Sequence, residues 1–199
     1  MKPSNQLNTK ELIITTALKL FKQKSYTDVS VKDICAACNL SKQAFYYHFT
    51  AKADILVECY NDEINSLLAA KPQSVTNYWQ QFVHCITRMM QINTDMGVDL
   101  ISHFLIANLM ADRGYLNVID SYKKMCVSYI QKAQELQQVR NQSNPDQLYT
   151  AAQILANGYT TYWAIKDGGF DTRTNLIASL EVMFDVPLEQ RTAKNDIQV

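Results

Sequence analysis

Glycine and proline are scarce in this chain, with five and four among 199 residues. Few backbone breakers leave room for long helices, and Leu, Ala, Gln, Lys and Glu fill extended stretches, a composition that favours helix. No alternating run marks a strand, no repeat recurs and no Gly-rich phosphate loop is present, so the fold class is all-α. A long apolar run is missing too. The longest mainly apolar stretch, residues 100–110, is interrupted by Ser102, His103 and Asn108 and is too short to span a bilayer. The opening MKPSNQLNTK has no apolar signal core, so a cytoplasmic protein with no membrane partner is expected.

Recognisable catalytic chemistry is absent as well. No Ser/His/Asp or Cys/His pairing sits in a local motif, and the carboxylates Asp62 and Glu63 are adjacent and so diverge on a helix. The expectation is a protein that is not an enzyme and that carries no cofactor. Five cysteines, at 35, 38, 59, 85 and 126, make an odd count that does not suit a disulfide frame in a reducing compartment. Cys35-x-x-Cys38 has the spacing of a redox or metal half-site, yet both fall on the apolar face of a short helix, where thiols are buried and inert. Asp99 and His103, four apart on one helix face, could supply two metal ligands with His84 or Cys85. One such pair arises readily by chance, and no metal is expected; His103 is better read as a polar handle among apolar neighbours.

A zero net charge conceals a division. Residues 1–60 hold eight Lys against five acids, a surplus of three positive charges that the rest of the chain reverses. A basic head on an acidic body suits nucleic-acid contact at one end, with salt-dependent binding through counterion release.

What is present is concentrated in residues 30–52, SVKDICAACNLSKQAFYYHFTAK. Ser30 caps a short helix whose apolar face carries Val31, Ile34, Cys35 and Cys38. Asn39 follows, a residue that tolerates a left-handed turn, and Leu40 plugs the corner. Ser41 caps a second helix starting at Lys42. Two short helices across a tight turn form the frame that sets a recognition helix into the DNA major groove. On the second helix Phe45 and Phe49 share a core face, leaving Lys42, Gln43, Ala44, Tyr46 and Tyr47 for DNA. Gln pairs in bidentate fashion with adenine, Lys reaches guanine or phosphate, and Ala leaves room for a thymine methyl. Tyrosine hydroxyls and the Ser30 and Ser41 caps suit phosphate oxygens.

The stretch from Thr9 to Tyr60 resembles the DNA-binding domain of the TetR family of bacterial transcriptional regulators. The resemblance is carried by Ile13, Ala17, Leu20 and Phe21, by Tyr26, by Ser30-Val31 with Asp33-Ile34, and by Tyr46, Phe49 and Lys52. Ser25 and Asn39 stand where the family usually has Gly, and Ala53 where an acidic residue often follows the Lys. The resemblance implies a three-helix helix-turn-helix domain over residues 1–52, with Ser30, Lys32, Ser41, Lys42, Gln43, Ala44, Tyr46, Tyr47 and Lys52 at the DNA. It implies a helical effector-binding and dimerisation domain over 53–187, followed by a polar tail, 188–199.

From residue 51 onward the pattern predicts helices over 51–70, 75–93, 98–111, 114–138, 146–167 and 173–185. In TetR-like proteins the last two helices form the dimer. That assigns Leu155, Tyr159, Tyr162, Leu176, Leu180, Met183 and Phe184 to an interface favouring aromatics and Met. The middle helices enclose an effector pocket, for which Met89, Met90, Met96, His103, Phe104, Met110, Tyr122, Met125 and Trp163 are the candidates. Such a plastic, apolar lining suits a hydrophobic ligand. The partners expected are double-stranded DNA with a near-palindromic operator, a second copy of the chain, and a small-molecule effector. The alternative is a regulator whose helical body answers to a protein partner instead.

Overall fold

The computed structural model describes residues 8–69, 77–112 and 119–191. Helices follow one another throughout, with no strand among the described residues: α1 (Thr9–Gln23), α2 (Val31–Cys38), α3 (Lys42–His48), α4 (Asp54–Ala69), α5 (Tyr78–Met96), α6 (Val98–Met110), α7 (Asp120–Glu135), α8 (Pro145–Ile165) and α9 (Thr172–Met183), then a single 3-10 turn, Leu188–Gln190. They resolve into two compact units. One holds the chain up to Asp62 together with Asp99–Tyr115; the other holds Glu63–Val98 and the chain from Leu116 onward. The expected boundary at residue 52 therefore shifts, and most of α6 belongs with the N-terminal helices. Apolar contacts explain this, because Leu100, Ile101 and Phe104 are buried in the same unit as Ile55 and Leu56.

In the first unit the helix starts are written in side chains. Asn8 accepts from the Glu11 N–H while Glu11 reaches back to the Asn8 N–H, and Ser30 and Asp33 repeat the arrangement at α2. Ile13, Ala17, Phe21, Val29, Ile34, Phe45 and Phe49 form the core beneath these helices. Asn39 ends α2 in the left-handed region, at φ 54° and ψ 44°. Its N–H and that of Leu40 both reach back to the Cys35 carbonyl, satisfying a carbonyl at the helix end. Ser25, the other residue at a family glycine position, is not among the residues with positive φ.

The second unit packs α5 against α7, α8 and α9, with α8 also touching α7 and α9. Trp79, Phe82 and Phe184 cluster with ring centroids 5.1–6.0 Å apart, and Ile86, Met90, Tyr122, Cys126, Ile130, Tyr149, Leu176 and Leu180 extend this core. Gln138 closes the N-terminus of α5 from a distance in sequence: its Oε1 accepts the Tyr78 and Trp79 N–H groups at 2.8 and 3.1 Å. The chain after Pro187 is the expected polar tail, 188–199. Its first part is held down, with Asn77 donating to Gln190 and the Arg191 side chain donating to the Val186 carbonyl. Residues 192–199 lie outside the described residues.

Helix limits agree with expectation to within a few residues, except for α7. Its expected start at 114 lies outside the described residues, and its described helix begins at Asp120.

Because Asn39 alone supplies the left-handed turn between α2 and α3, Asn39→Ala should destabilise the protein by about 1–2 kcal/mol while Asn39→Gly stays close to neutral. Urea unfolding followed by circular dichroism checks this. Equal stability of the two variants contradicts it.

Candidate nucleic-acid interface

A seven-residue helix cannot hold its shape alone, since nucleation is costly and few internal bonds repay it. The recognition helix α3 is therefore fixed from outside. Ser41 accepts the Ala44 N–H at 3.1 Å to cap its start, and Phe45 and Phe49 are driven into the core with centroids 5.6 Å apart. Burying that face turns the opposite one outward. Lys42 and Gln43 are exposed, Ala44 is half-buried, and Tyr46 and Tyr47 expose 54 % and 83 % of their surface. An exposed aromatic pair on a helix this short has no folding role to explain it. The Tyr46 ring meets Phe45 edge-on at 5.4 Å, which props its hydroxyl away from the core.

The remaining expected DNA residues divide into two kinds. Lys32 is exposed on α2 and available. Ser41 uses its hydroxyl oxygen to accept the cap bond, leaving its proton to donate outward. Ser30 is also exposed, but its hydroxyl donates to the Asp33 carboxylate and accepts the Asp33 N–H. These bonds from Ser30 hold the Asp33 carboxyl below the usual carboxylate range. Ser30 thus works first as the cap that starts α2.

Lys52 departs further from expectation. Its ammonium turns inward, donating to the Tyr26 and Val29 carbonyls at 2.5 and 2.7 Å and lying 4.0 Å from the centre of the Tyr26 ring. Burial lowers its pKa, opposed by the charges of Asp28 and Asp99. The residue fastens the loop ahead of α2, and its two carbonyl bonds explain why a Lys is needed there without any phosphate.

Cys35 and Cys38 are both buried, and their thiols point to different acceptors, the Ser41 and Leu12 carbonyls. Burial raises the Cys35 pKa, which keeps it a thiol. Asp99 and His103 do meet, the imidazole Nδ1 lying 3.3 Å from the Asp99 carboxylate, but no group of three or more metal-ligating side chains occurs among the described residues.

Residues 13–59 match the family model for bacterial regulatory proteins, tetR family. That match takes in α2 and α3 and covers about a quarter of the chain. The HTH-type transcriptional regulator YuxN of Bacillus subtilis is 49 % identical over 51 residues, which cover 26 % of this chain and 18 % of that protein. The icaADBC biofilm operon negative regulator IcaR of Staphylococcus aureus is 35 % identical over 72 residues, 35 % of this chain and 38 % of IcaR. The match thus spans well under half the length of these curated relatives. The likeness to solved structures reaches further at low identity. Thermus thermophilus FadR, a TetR family repressor in complex with lauroyl-CoA, superposes with a TM-score of 0.65 at 16 % identity, covering 96 % of this chain and 98 % of FadR. A TetR-family regulator from Pectobacterium atrosepticum gives 0.60 at 22 % identity over 88 % and 91 %.

The helical body corrects two expectations. Leu176, Leu180 and Phe184, assigned to a dimer interface, are fully buried in the second unit's own core and have no surface to offer. Leu155, Tyr159 and Met183 are partly buried against that core, and Tyr162 is half exposed. The pocket candidates are divided as well. Met89, Met90, Tyr122 and Met125 share the second unit's core, with Met90 and Tyr122 fully inside it. Met96 and Trp163 are half-buried in the same unit. His103, Phe104 and Met110 belong to the first unit, where Phe104 is buried and Met110 is 84 % exposed. Apolar periodicity identifies a face and says nothing about what covers it.

The division of labour on α3 gives a contrast in specificity. Gln43→Ala should relax discrimination at one base pair by about 1–3 kcal/mol, whereas Tyr46→Phe should weaken every duplex alike. Titrating both variants on single-base variants of a bound duplex checks this, and a uniform loss for Gln43→Ala contradicts the base-reading role.

Proposed function

We propose that this protein is a DNA-binding transcriptional regulator that acts as a homodimeric repressor in the cytoplasm and leaves its operator when its helical body takes up a small, hydrophobic ligand. The observation that carries the reading is the outward face of α3. Lys42, Gln43, Ala44, Tyr46 and Tyr47 combine base-reading and phosphate-binding chemistry on a helix whose other face is locked by Phe45 and Phe49. Repression draws support from IcaR, named as a negative transcriptional regulator, and ligand response from the FadR complex with lauroyl-CoA.

Dimerisation has its own support in the surface of the second unit. The outward stripe of α8 carries Ala151, Ile154, Gly158, Thr161 and Ile165, and that of α9 carries Ala178 and Val182, all exposed. Ile154, Ile165 and Val182 expose 66 %, 72 % and 73 % of their surface. Small residues between apolar ones let helices approach closely, and this seam replaces the buried leucines as the proposed interface. Two-fold symmetry would then set two recognition helices to half-sites about 34–36 Å apart or a multiple of that.

The body also holds polar atoms in want of a partner. Thr160 donates its hydroxyl proton to the Ala156 carbonyl, so its oxygen is left to accept from the Asn93 amide nitrogen at 3.1 Å. That fixes the amide orientation and leaves Asn93 Oδ1 buried without a partner, as is the Tyr122 hydroxyl, whose pKa burial raises well above the usual phenol range. Such groups cost about 1–3 kcal/mol each when unmet and suit an apolar ligand that brings a hydrogen-bonding group.

Selection of duplexes from a random pool tests the reading. It should enrich an inverted repeat whose affinity falls by about 10³–10⁵ between 50 and 200 mM salt if six to ten phosphates are contacted. No enrichment, with weak binding equal on all duplexes, contradicts it. Ile154→Asp with Val182→Asp should give a folded monomer by sedimentation that loses at least about a hundredfold in operator affinity, in keeping with the loss of paired half-site binding. A dimer that survives both substitutions refutes the seam.

A further inference from the structure

The cysteines with redox spacing are not the ones whose sulfurs meet. The Cys35 and Cys38 thiols turn to separate carbonyls, those of Ser41 and Leu12, each at 3.8 Å. Cys85 and Cys126 lie far apart in sequence, on α5 and α7, two helices that pack against each other. There the two thiols are hydrogen-bonded to one another inside the second unit's core. Cys85 keeps 4 % of its surface exposed and Cys126 none.

The two sulfurs are not equivalent. The hydrogen bond from Cys126 lowers the pKa of Cys85, against the opposing effect of burial. Cys126, which gives that bond and is fully buried, is pushed up and keeps its proton. Tyr122 and Tyr149 stand close by, and burial raises both phenols, so no phenolate competes for a proton beside the pair. One sulfur that ionises, held against one that stays protonated, is the arrangement of an attacking and a resolving thiol. The attacking member is also the one nearer the surface.

We propose that Cys85 and Cys126 are a reversible disulfide site in the helical body, closed by a small hydroperoxide with Cys85 attacking and Cys126 resolving. The Cys85 sulfur attacks one peroxide oxygen, so that an S–O bond forms and the O–O bond breaks. With hydrogen peroxide, the departing hydroxide takes up the Cys85 proton and leaves as water. The Cys126 sulfur then displaces the oxygen from Cys85, forming the S–S bond, and its proton leaves with that oxygen as a second water. Two thiols give up two electrons and the peroxide receives them. Sulfurs already in contact need only close to the covalent length of about 2.0 Å. A thiol reductant reopens the bond by exchange, so in a reducing compartment the cross-link between α5 and α7 is transient. The site lies wholly in the second unit and does not depend on the regulator reading.

Peptide mapping of the oxidised full chain tests the site. Folded protein is treated with hydrogen peroxide, remaining thiols are alkylated in urea, and cross-linked peptides are read by mass spectrometry without reduction. The Cys85–Cys126 cross-link should exceed every other pairing at least about tenfold and disappear with dithiothreitol. Oxidation of protein already unfolded in urea should erase that preference, since the fold brings the two sulfurs together. Cys126→Ala should leave Cys85 carrying one added oxygen or its dimedone adduct, whereas Cys85→Ala should leave Cys126 as a thiol. Circular dichroism reports whether each variant folds, and the wild-type map decides the site without them. Recovery of Cys85 and Cys126 as thiols after treatment, whether or not other cysteines react, overturns the site. Equal cross-linking in urea overturns the geometry as its basis. Oxygen added at Cys126 in Cys85→Ala, with none at Cys85 in Cys126→Ala, overturns the assignment of roles.

Discussion

Burial of Phe45 and Phe49 is the constraint on which the nucleic-acid face depends. A helix as short as α3 has no stability of its own, and two aromatic side chains four residues apart can reach one core only if the helix lies in a single rotation. Once they are buried, the positions between them have nowhere to go but outward, and Gln43, Tyr46 and Tyr47 are displayed as a consequence. The turn before α3 obeys the same logic. Asn39 in its left-handed conformation reverses the chain, and Ser41 caps the start, so direction, rotation and first turn are each set by a separate group.

This part of the protein was legible in the sequence because its determinants are local. Caps, a left-handed Asn and an i, i+4 aromatic pair all act within a few residues, and the all-α fold with its helix order follows from equally local signals. The errors came where a residue's neighbours are distant in the chain. Leu176, Leu180 and Phe184 announce an apolar face of α9, but periodicity does not distinguish a monomer's core from an interface. Ile154 and Val182, lying off that stripe, are exposed apolar residues of α8 and α9. Lys52 looked like a phosphate contact because it follows the recognition helix, yet its partners are carbonyls more than twenty residues earlier. Asp99 and His103 were visible as a helical pair, but the bond from the Tyr26 N–H to Asp99 spans 73 residues and left no local trace.

The charge division acquires a physical sense on this view. The N-terminal surplus of Lys includes Lys32 and Lys42, both exposed, and Lys52, whose ammonium holds a loop internally. Long-range attraction and local architecture thus draw on the same residue type for different ends. Asp99 is an acid in the same unit as these basic helices, and it accepts the Tyr26 N–H at 2.8 Å.

The central claim is that paired α3 faces read DNA as a two-fold object. Hydroxyl-radical protection of a duplex selected by the protein tests it most directly. The account predicts two equivalent protected patches on one face of the helix, centred about 34–36 Å or a multiple of that apart. A single patch, or protection without symmetry, would contradict it.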